Sequence, residues 1–251
     1  MGALKDAAAA EKRQTALVGN VTPLAYNTGG RGGTRIGEGA MKTLDLRKKL
    51  KRYYQPSTRA VEALDIPRFR FLMLDGVLSA GKTPETSTDF HSSIGAMYGL
   101  AYTLKFASKL RKTRPIDYPV MALEGLWWTE GGGFDFDRKH DWSYRLMILV
   151  PDHIDAPMFR AALRQLKEKR PNPALDRARL ASFEEGLCMQ IMHVGPYAEE
   201  PKTIARMREF AKEGGYSLRG KHHEIYLGDP RRSAPARLKT VLRQPIRRRR
   251  A

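Results

Sequence analysis

Apolar residues recur along the chain with two different spacings, and each change of spacing marks a predicted element. The apolar run Phe69–Leu74, followed by Asp75-Gly76, predicts a buried strand that ends in a turn. Apolar residues three and four positions apart then predict a long helix over residues 87–108. Two further apolar runs predict strands over residues 118–128 and 142–150. The first half of the chain therefore has the order strand, helix, strand, strand.

The second half repeats that order after a connecting helix. An amphipathic spacing predicts the connecting helix over residues 157–169. An apolar strand is predicted over residues 187–194, and a second long helix over residues 199–213, where a proline near its start and paired glycines after its end are typical helix boundaries. The last two strands are predicted over residues 222–227 and 238–242.

The repeated order of elements predicts an α+β fold built from two tandem strand-helix-strand-strand modules, residues 68–151 and 180–246. Two such units usually associate about an approximate two-fold axis and bury the face that neither covers alone, which leaves a central ligand cleft between them. Residues 41–246 are thus predicted to form the domain. The Ala-, Gly- and Thr-rich residues 1–40 show no core-forming pattern and are predicted to be disordered, and residues 247–251 form a basic tail.

Composition limits the class of protein. Of the 251 residues, 41 % are hydrophobic, which is enough for one sizeable core or two fused modules. Cys188 is the only cysteine, so no internal disulfide is possible and a reducing, cytoplasmic location is expected. No apolar window approaches the roughly 20 residues that cross a bilayer, so no membrane partner is expected.

The formal charge of +18 raises the question of a nucleic-acid partner. The basic residues are dispersed along the domain, however, whereas affinity for phosphates needs charges gathered on one face. A solvated basic surface is therefore the first interpretation. Contact with nucleic acids is expected only as non-specific attraction by the tail, in which Arg247–Arg250 place four positive charges side by side.

The strand after each long helix carries a carboxylate among apolar and aromatic residues, at Glu124 and Glu224. Period-two alternation places His222 and Tyr226 on the same strand face as Glu224. A carboxylate beside aromatic rings suits a flat or cationic organic molecule, because both the ring faces and the anion attract it. The candidate ligand-binding residues are therefore Glu224, Glu124, Trp127, Trp128, Tyr98, Tyr102, His222 and Phe134.

Other interpretations of the same residues remain open. Either glutamate could belong to a structural hydrogen-bond network, and a buried glutamate with a raised pKa could also transfer protons. His222 and Glu224 could supply two metal ligands, but no further ligands follow at a recognisable spacing, so no metal or cofactor is expected. Acidic residues follow the glycine triplet 131–133, which indicates a flexible hairpin instead of a phosphate-binding loop.

Several strings of residues resemble the GyrI-like small-molecule-binding family, and they occur in the order in which that family has them. The resemblance covers about residues 41–247 and leaves the first forty residues without a counterpart. The strings that carry the resemblance are Phe71–Gly76, Leu123–Trp128, Glu184–Cys188 and His222–Arg232.

The resemblance implies two strand-helix-strand-strand modules that form a cavity for small molecules, with Glu224 in the place of the family's central pocket glutamate. It also implies a possible activity, because some stand-alone members are hydrolases that open cyclopropane rings in DNA-alkylating natural products. In that reaction Glu224 would act as the general base, and Tyr98, Tyr197 or Tyr226 would stabilise the developing oxyanion. A binding protein, a cyclopropanoid hydrolase and a gyrase-inhibitor-like interaction module are thus the three expected functions.

Overall fold

The structure is a computed structural model. It describes residues 41–129, 131, 134, 142–228 and 233–249. The predicted extension 1–40 and the last two residues of the predicted tail lie outside the described residues.

The first half of the described chain contains the predicted order of elements and adds short ones. The long helix occupies nearly the predicted positions, whereas the strand predicted from residue 118 begins only at Leu123. The elements are β1 (Lys42–Thr43), α1 (Leu46–Lys49), α2 (Lys51–Tyr54), β2 (Glu62–Ile66), β3 (Phe69–Val77), α3 (Thr88–Lys109), β4 (Ile116–Asp117), β5 (Leu123–Trp128) and β6 (Ser143–Leu149).

The second half also follows the predicted order. Its last strand runs to Arg248, so Arg247 and Arg248 belong to the sheet instead of to a separate tail. The elements are α4 (Ala156–Lys169), β7 (Arg179–Phe183), β8 (Gly186–Val194), α5 (Glu200–Glu213), β9 (Tyr216–Leu218), β10 (His222–Tyr226) and β11 (Lys239–Arg248).

One nine-stranded antiparallel sheet joins both halves of the chain. Its strand order is β2-β8-β11-β10-β5-β6-β3-β7, with β9 paired to β11, while β1 and β4 form a separate parallel pair. The two halves meet where β5 pairs with β10. From that seam the order is β10-β11-β8 on one side and β5-β6-β3 on the other. The α+β class is confirmed, and a spatial two-fold relation between the halves stays a prediction.

Both long helices pack on the same side of this sheet. The Ser87 side chain accepts the hydrogen bond of the Phe90 amide and so caps the start of α3, and the Phe90 ring packs against Trp127. On α5, Ile204 and Met207 pack in a cluster with strand residues that include Leu242. Cross-strand partners share a face of the sheet. Trp127 is the partner of His222 and Leu242 is the partner of Glu224, so both helices pack on the face that carries His222 and Glu224.

We therefore call the side that displays His222, Glu224 and Tyr226 the helix face, and the side that displays His223 and Ile225 the opposite face. Among the described residues, no helix is both long enough and apolar enough to span a membrane.

The opposite face lies on the inside of a curled sheet. Only Pro67 and Arg68 connect β2 to β3, although these strands are six places apart in the strand order. Six spacings of a flat sheet would measure roughly 29 Å, whereas the three residue steps from Ile66 to Phe69 reach only about 10 Å. The sheet must therefore bend until its two ends approach each other. Ile66 of β2, Phe71 of β3 and Glu124 of β5 line one small cavity together, so the opposite face is the inside of this bend.

Candidate functional site

The centre of the helix face carries a chain of hydrogen bonds around Glu224. The Tyr226 hydroxyl donates to Glu224 Oε2 at 2.7 Å and accepts from the Trp127 indole nitrogen at 3.0 Å. Gly125 lies opposite Glu224 on β5, and a Cβ atom there would come within 2.8 Å of the Trp127 nitrogen and 3.1 Å of the Tyr226 oxygen. Glycine at this position thus allows the tyrosine and the indole to meet over the strand.

Electrostatics fix the roles of the two central groups. Burial, and then the negative charge of Glu224, raise the pKa of the Tyr226 hydroxyl well above its usual range, and the hydrogen bond to Glu224 adds to this effect. The tyrosine therefore keeps its proton and acts as a donor to the carboxylate. Glu224 is 7 % exposed, so it is buried but not fully enclosed.

Aromatic and imidazole rings border the carboxylate. His222 Nε2 lies 3.3 Å from Glu224 Oε1, and the Phe134 ring stacks on the His222 ring with 4.5 Å between centroids and 12° between planes. The Tyr197 ring, at the start of a short 3₁₀ helix before α5, meets the Tyr226 ring edge to face at 5.9 Å. Six predicted site residues, including Trp127, are thus brought together.

A cleft opens on the helix face beside this cluster. Its volume is about 460 Å³, within the range of sites that hold drug-sized molecules. His222 and Phe134 form part of its wall, and α5 forms another part. The residues that line it are Gly131, Phe134, Met189, Ile204, Met207, Arg208, Leu218, Arg219, Gly220, His222 and Gln244.

Glu124 lies on the opposite face, away from Glu224. The pairing of Ile225 with Glu124 places this carboxylate inside the curled sheet, where it is 1 % exposed. Its oxygens accept hydrogen bonds from the Tyr54 hydroxyl at 2.5 Å and from His223 Nε2 at 3.1 Å. The two carboxylates therefore do not share one cleft, and a role of Glu124 in ligand binding stays a prediction.

A buried network of charges surrounds Glu124. His223 Nδ1 donates to Glu185 at 3.0 Å, and Arg243 donates to Glu185 at 3.3 Å and to the side-chain oxygen of Gln190 at 3.0 Å. We call Glu124, Glu185, His223 and Arg243 the buried charge network. Its two negative and two positive groups balance, provided that His223 is protonated.

The pKa shifts agree with that balance. Burial alone would lower the pKa of His223, but Glu185 and the hydrogen bonds to both glutamates raise it to about 9. Burial would likewise raise the pKa of Glu185, yet His223 and Arg243 outweigh burial and hold it below its usual value. The imidazolium form of His223 can donate from both ring nitrogens, which matches its two carboxylate partners.

The remaining predicted residues lie apart from the central cluster. Trp128 belongs to the opposite face, where Lys221 Nζ lies 3.1 Å above its ring. Tyr98 and Tyr102 lie on α3, where Tyr98 packs half-buried against the main core and Tyr102 is 38 % exposed. Their part in ligand binding stays a prediction.

The burial of several residues on both faces could not be predicted from the sequence. Glu185 follows Glu184 in what resembles a solvated turn, and Arg243 stands in a strongly basic segment, so neither carries a signal of burial. Glu200 resembles a helix-start residue, yet it is buried and its charge contributes to the raised pKa of Tyr226. The helix α5 is predicted from its end signals, and the structure shows that Ile204 and Met207 on its buried side line the cleft.

No group of three or more histidine, cysteine, aspartate or glutamate side chains in the described part of the chain has the arrangement of a metal site.

Comparisons with known proteins identify the family of the chain. The sequence model of the GyrI-like small molecule binding domain matches residues 61–247. A search among curated proteins finds no match.

Three solved structures from Listeria innocua are similar over their whole length. An uncharacterized conserved protein is 36 % identical with a TM-score of 0.73, and the match covers 81 % of this chain and 100 % of that one. A protein described as a hydrolase is 34 % identical with a TM-score of 0.71, covering 82 % of this chain and 100 % of that one. Another structure described as a hydrolase is 32 % identical with a TM-score of 0.69, covering 81 % and 100 %.

Proposed function

Because the chain belongs to the GyrI-like small-molecule-binding family, we propose that it binds small aromatic organic molecules in the helix-face cleft. The observation that carries this proposal is the 460 Å³ cleft whose wall includes the stacked rings of His222 and Phe134. A flat ring can continue such a stack. Ile204 and Leu218 also line the cleft and supply an apolar surface for the rest of the molecule.

Glu224 gives the site a preference among such ligands. Its carboxylate is held in place by Tyr226 and lies beside His222, which is itself part of the cleft wall. A positive charge on a ligand near His222 would be attracted to this anion in a region of low dielectric constant. The proposal therefore includes cationic aromatic molecules.

Glu224→Gln tests the proposed role of the carboxylate, since glutamine keeps its size and removes its charge. Affinity for a planar cationic dye should fall by about 1 to 3 kcal/mol, the range for a partly desolvated charge contact with its ring contribution. Affinity for a neutral dye of the same shape should change much less. Fluorescence titration of both dyes against wild type and variant measures the difference.

Glu209→Gln is the matched control for this titration, because Glu209 is an exposed glutamate on α5 that does not line the cleft. It should leave both affinities near those of wild type. Equal affinities of Glu224→Gln and wild type for the cationic dye, together with a sharply lowered melting temperature, would assign Glu224 to a structural role.

Hydrolysis is the second candidate function, and the Tyr226 to Glu224 hydrogen bond favours it. A carboxylate with a fixed tyrosine partner can orient a water molecule and take a proton from it. The water oxygen would then bond to a cyclopropane carbon, and the electron pair of the broken ring bond would move into a conjugated carbonyl. Tyr197 would hydrogen-bond that oxygen until it is protonated, or Tyr226 would do so if its hydroxyl turned away from Glu224. Two of the similar Listeria structures are described as hydrolases, which supports this candidate.

Contact with nucleic acids is proposed only as non-specific attraction at the end of β11. Arg247 donates to the Ser217 hydroxyl, and Arg249 donates to the Tyr216 carbonyl, so these side chains are held along one strand pair. A row of charges at one edge attracts phosphates without reading a base sequence. The cytoplasm remains the proposed location, on the grounds of the single cysteine.

A further inference from the structure

The ionisable residues in the described wall of the cleft are two arginines and one histidine. Arg208 and Arg219 line it together with His222, and no carboxylate is among the described residues that line it. The rest of the wall includes apolar side chains, among which Leu218 is 45 % exposed. The wall therefore offers hydrogen-bond donors and an apolar surface to whatever occupies the cleft.

One of the two arginines, Arg219, is bound to the backbone of neighbouring strands. The Arg219 guanidinium donates to the carbonyl oxygens of Ile246, Glu185 and Leu187, which fastens it to the neighbouring strands. Arg208 is different. It lies on the exposed side of α5, and its guanidinium has no hydrogen bond or ion pair with any other described residue.

We infer that the ligands of the cleft carry an oxygen-rich acceptor group, such as a carboxylate, sulfonate or conjugated carbonyl, that is bound by Arg208 while their aromatic body packs on the apolar wall. This inference rests on the proposed function and narrows its class of ligand. A guanidinium offers a planar set of donors that matches two acceptor oxygens at once, and it retains its charge at any physiological pH. Glu224 lies behind His222 and acts on the ligand from there, whereas Arg208 lies in the wall itself, on α5.

The size of the expected effect follows from exposure. Arg208 is open to solvent, so salt and water screen its attraction for an anion, and the gain is smaller than that of a buried pair. We therefore expect roughly a five- to tenfold contribution to the affinity for an acidic ligand, in keeping with a charge-assisted hydrogen bond at a partly exposed site.

A matched pair of fluorescent probes tests this inference. Anilinonaphthalene sulfonate and N-phenylnaphthylamine share one aromatic body and differ by the sulfonate. Wild type should bind the sulfonate more tightly than the neutral probe, and Arg208→Gln should weaken the sulfonate roughly five- to tenfold while changing the neutral probe less than about twofold. Arg164→Gln, which removes an exposed arginine on α4 away from the cleft, should leave both affinities unchanged.

The variant Leu218→Asp tests whether the probes bind in the cleft. Leu218 is 45 % exposed on β9, so an aspartate there is compatible with folding, and it should weaken both probes several-fold if they occupy the cleft. Loss of sulfonate affinity in Arg208→Gln, but not in Arg164→Gln, supports the inference. Equal sulfonate affinities of wild type and Arg208→Gln, with the neutral probe still sensitive to Leu218→Asp, would overturn this inference and leave the proposed function standing. A neutral probe that fails to bind wild type, or ignores Leu218→Asp, would overturn both.

Discussion

Glu224→Gln should slow the opening of a cyclopropane ring by about 100-fold or more, if the protein acts as a hydrolase, because the variant lacks the general base. The Glu224 carboxylate, held by its hydrogen bond from Tyr226, can take a proton from water. A glutamine side chain cannot do so at neutral pH. Mass spectrometry of the water adduct that forms from a cyclopropane-bearing alkylating compound measures the rate.

Two comparisons separate chemistry from folding in this experiment. The exposed Glu209→Gln variant should retain the wild-type rate. The melting temperature of Glu224→Gln should stay the same or rise, since a carboxylate in aromatic surroundings is costly to desolvate. If wild type forms no adduct above the rate of the uncatalysed reaction, the hydrolase candidate is wrong and the binding function remains.

The second large effect concerns the stability of the opposite face. Arg243→Met should lower the free energy of unfolding by about 3 to 5 kcal/mol, the usual cost of leaving a buried charge without its partner. Arg243 is 3 % exposed and donates to Glu185, to Gln190 and to the carbonyl oxygen of Tyr53 at 2.6 Å. Without it the buried charge network carries a net negative charge. Urea unfolding measures the difference.

Arg247→Met provides the matched control, because Arg247 lies on the same strand but is exposed and bonds only the Ser217 hydroxyl among the contacts described for its side chain. It should cost less than about 1 kcal/mol. A cost for Arg243→Met no larger than that of the control would show that the interior tolerates the unpaired carboxylate, and the electrostatic description of the network would be wrong.

The pH dependence of unfolding checks the same network independently. The pKa of His223 is raised from its ordinary 6.5 to about 9, so its contribution to stability is fully present below pH 6.5 and disappears as the pH rises through about 9. Wild type should therefore lose stability across this window, and His223→Gln should show a flatter curve there.

The order of elements and the long helices could be predicted from the sequence because each has a local cause. The stripe of α3 repeats every three to four residues, and alternation along β10 correctly groups His222, Glu224 and Tyr226. Alternation does not reveal how two strands align, however. The register that pairs Glu224 with Gly125 decides that Glu124 faces the other way, and that register is set by the whole sheet.

The short strand β2 and the buried charges could not be predicted from the sequence, for related reasons. The edge strand β2 contains two acidic residues in five, so its pattern is too weak to recognise by itself. Glu185 and Arg243 resemble surface residues in the sequence, because only the curl of the sheet brings them together with His223. Contacts between residues so distant along the chain leave no trace in local spacing.

A crystal structure of the protein with N-phenylnaphthylamine bound would show whether the small-molecule site lies on the helix face. We expect the naphthalene ring in the cleft between α5 and the stacked rings of His222 and Phe134, in contact with Leu218. A probe found instead on the opposite face, beside Trp128, would contradict it.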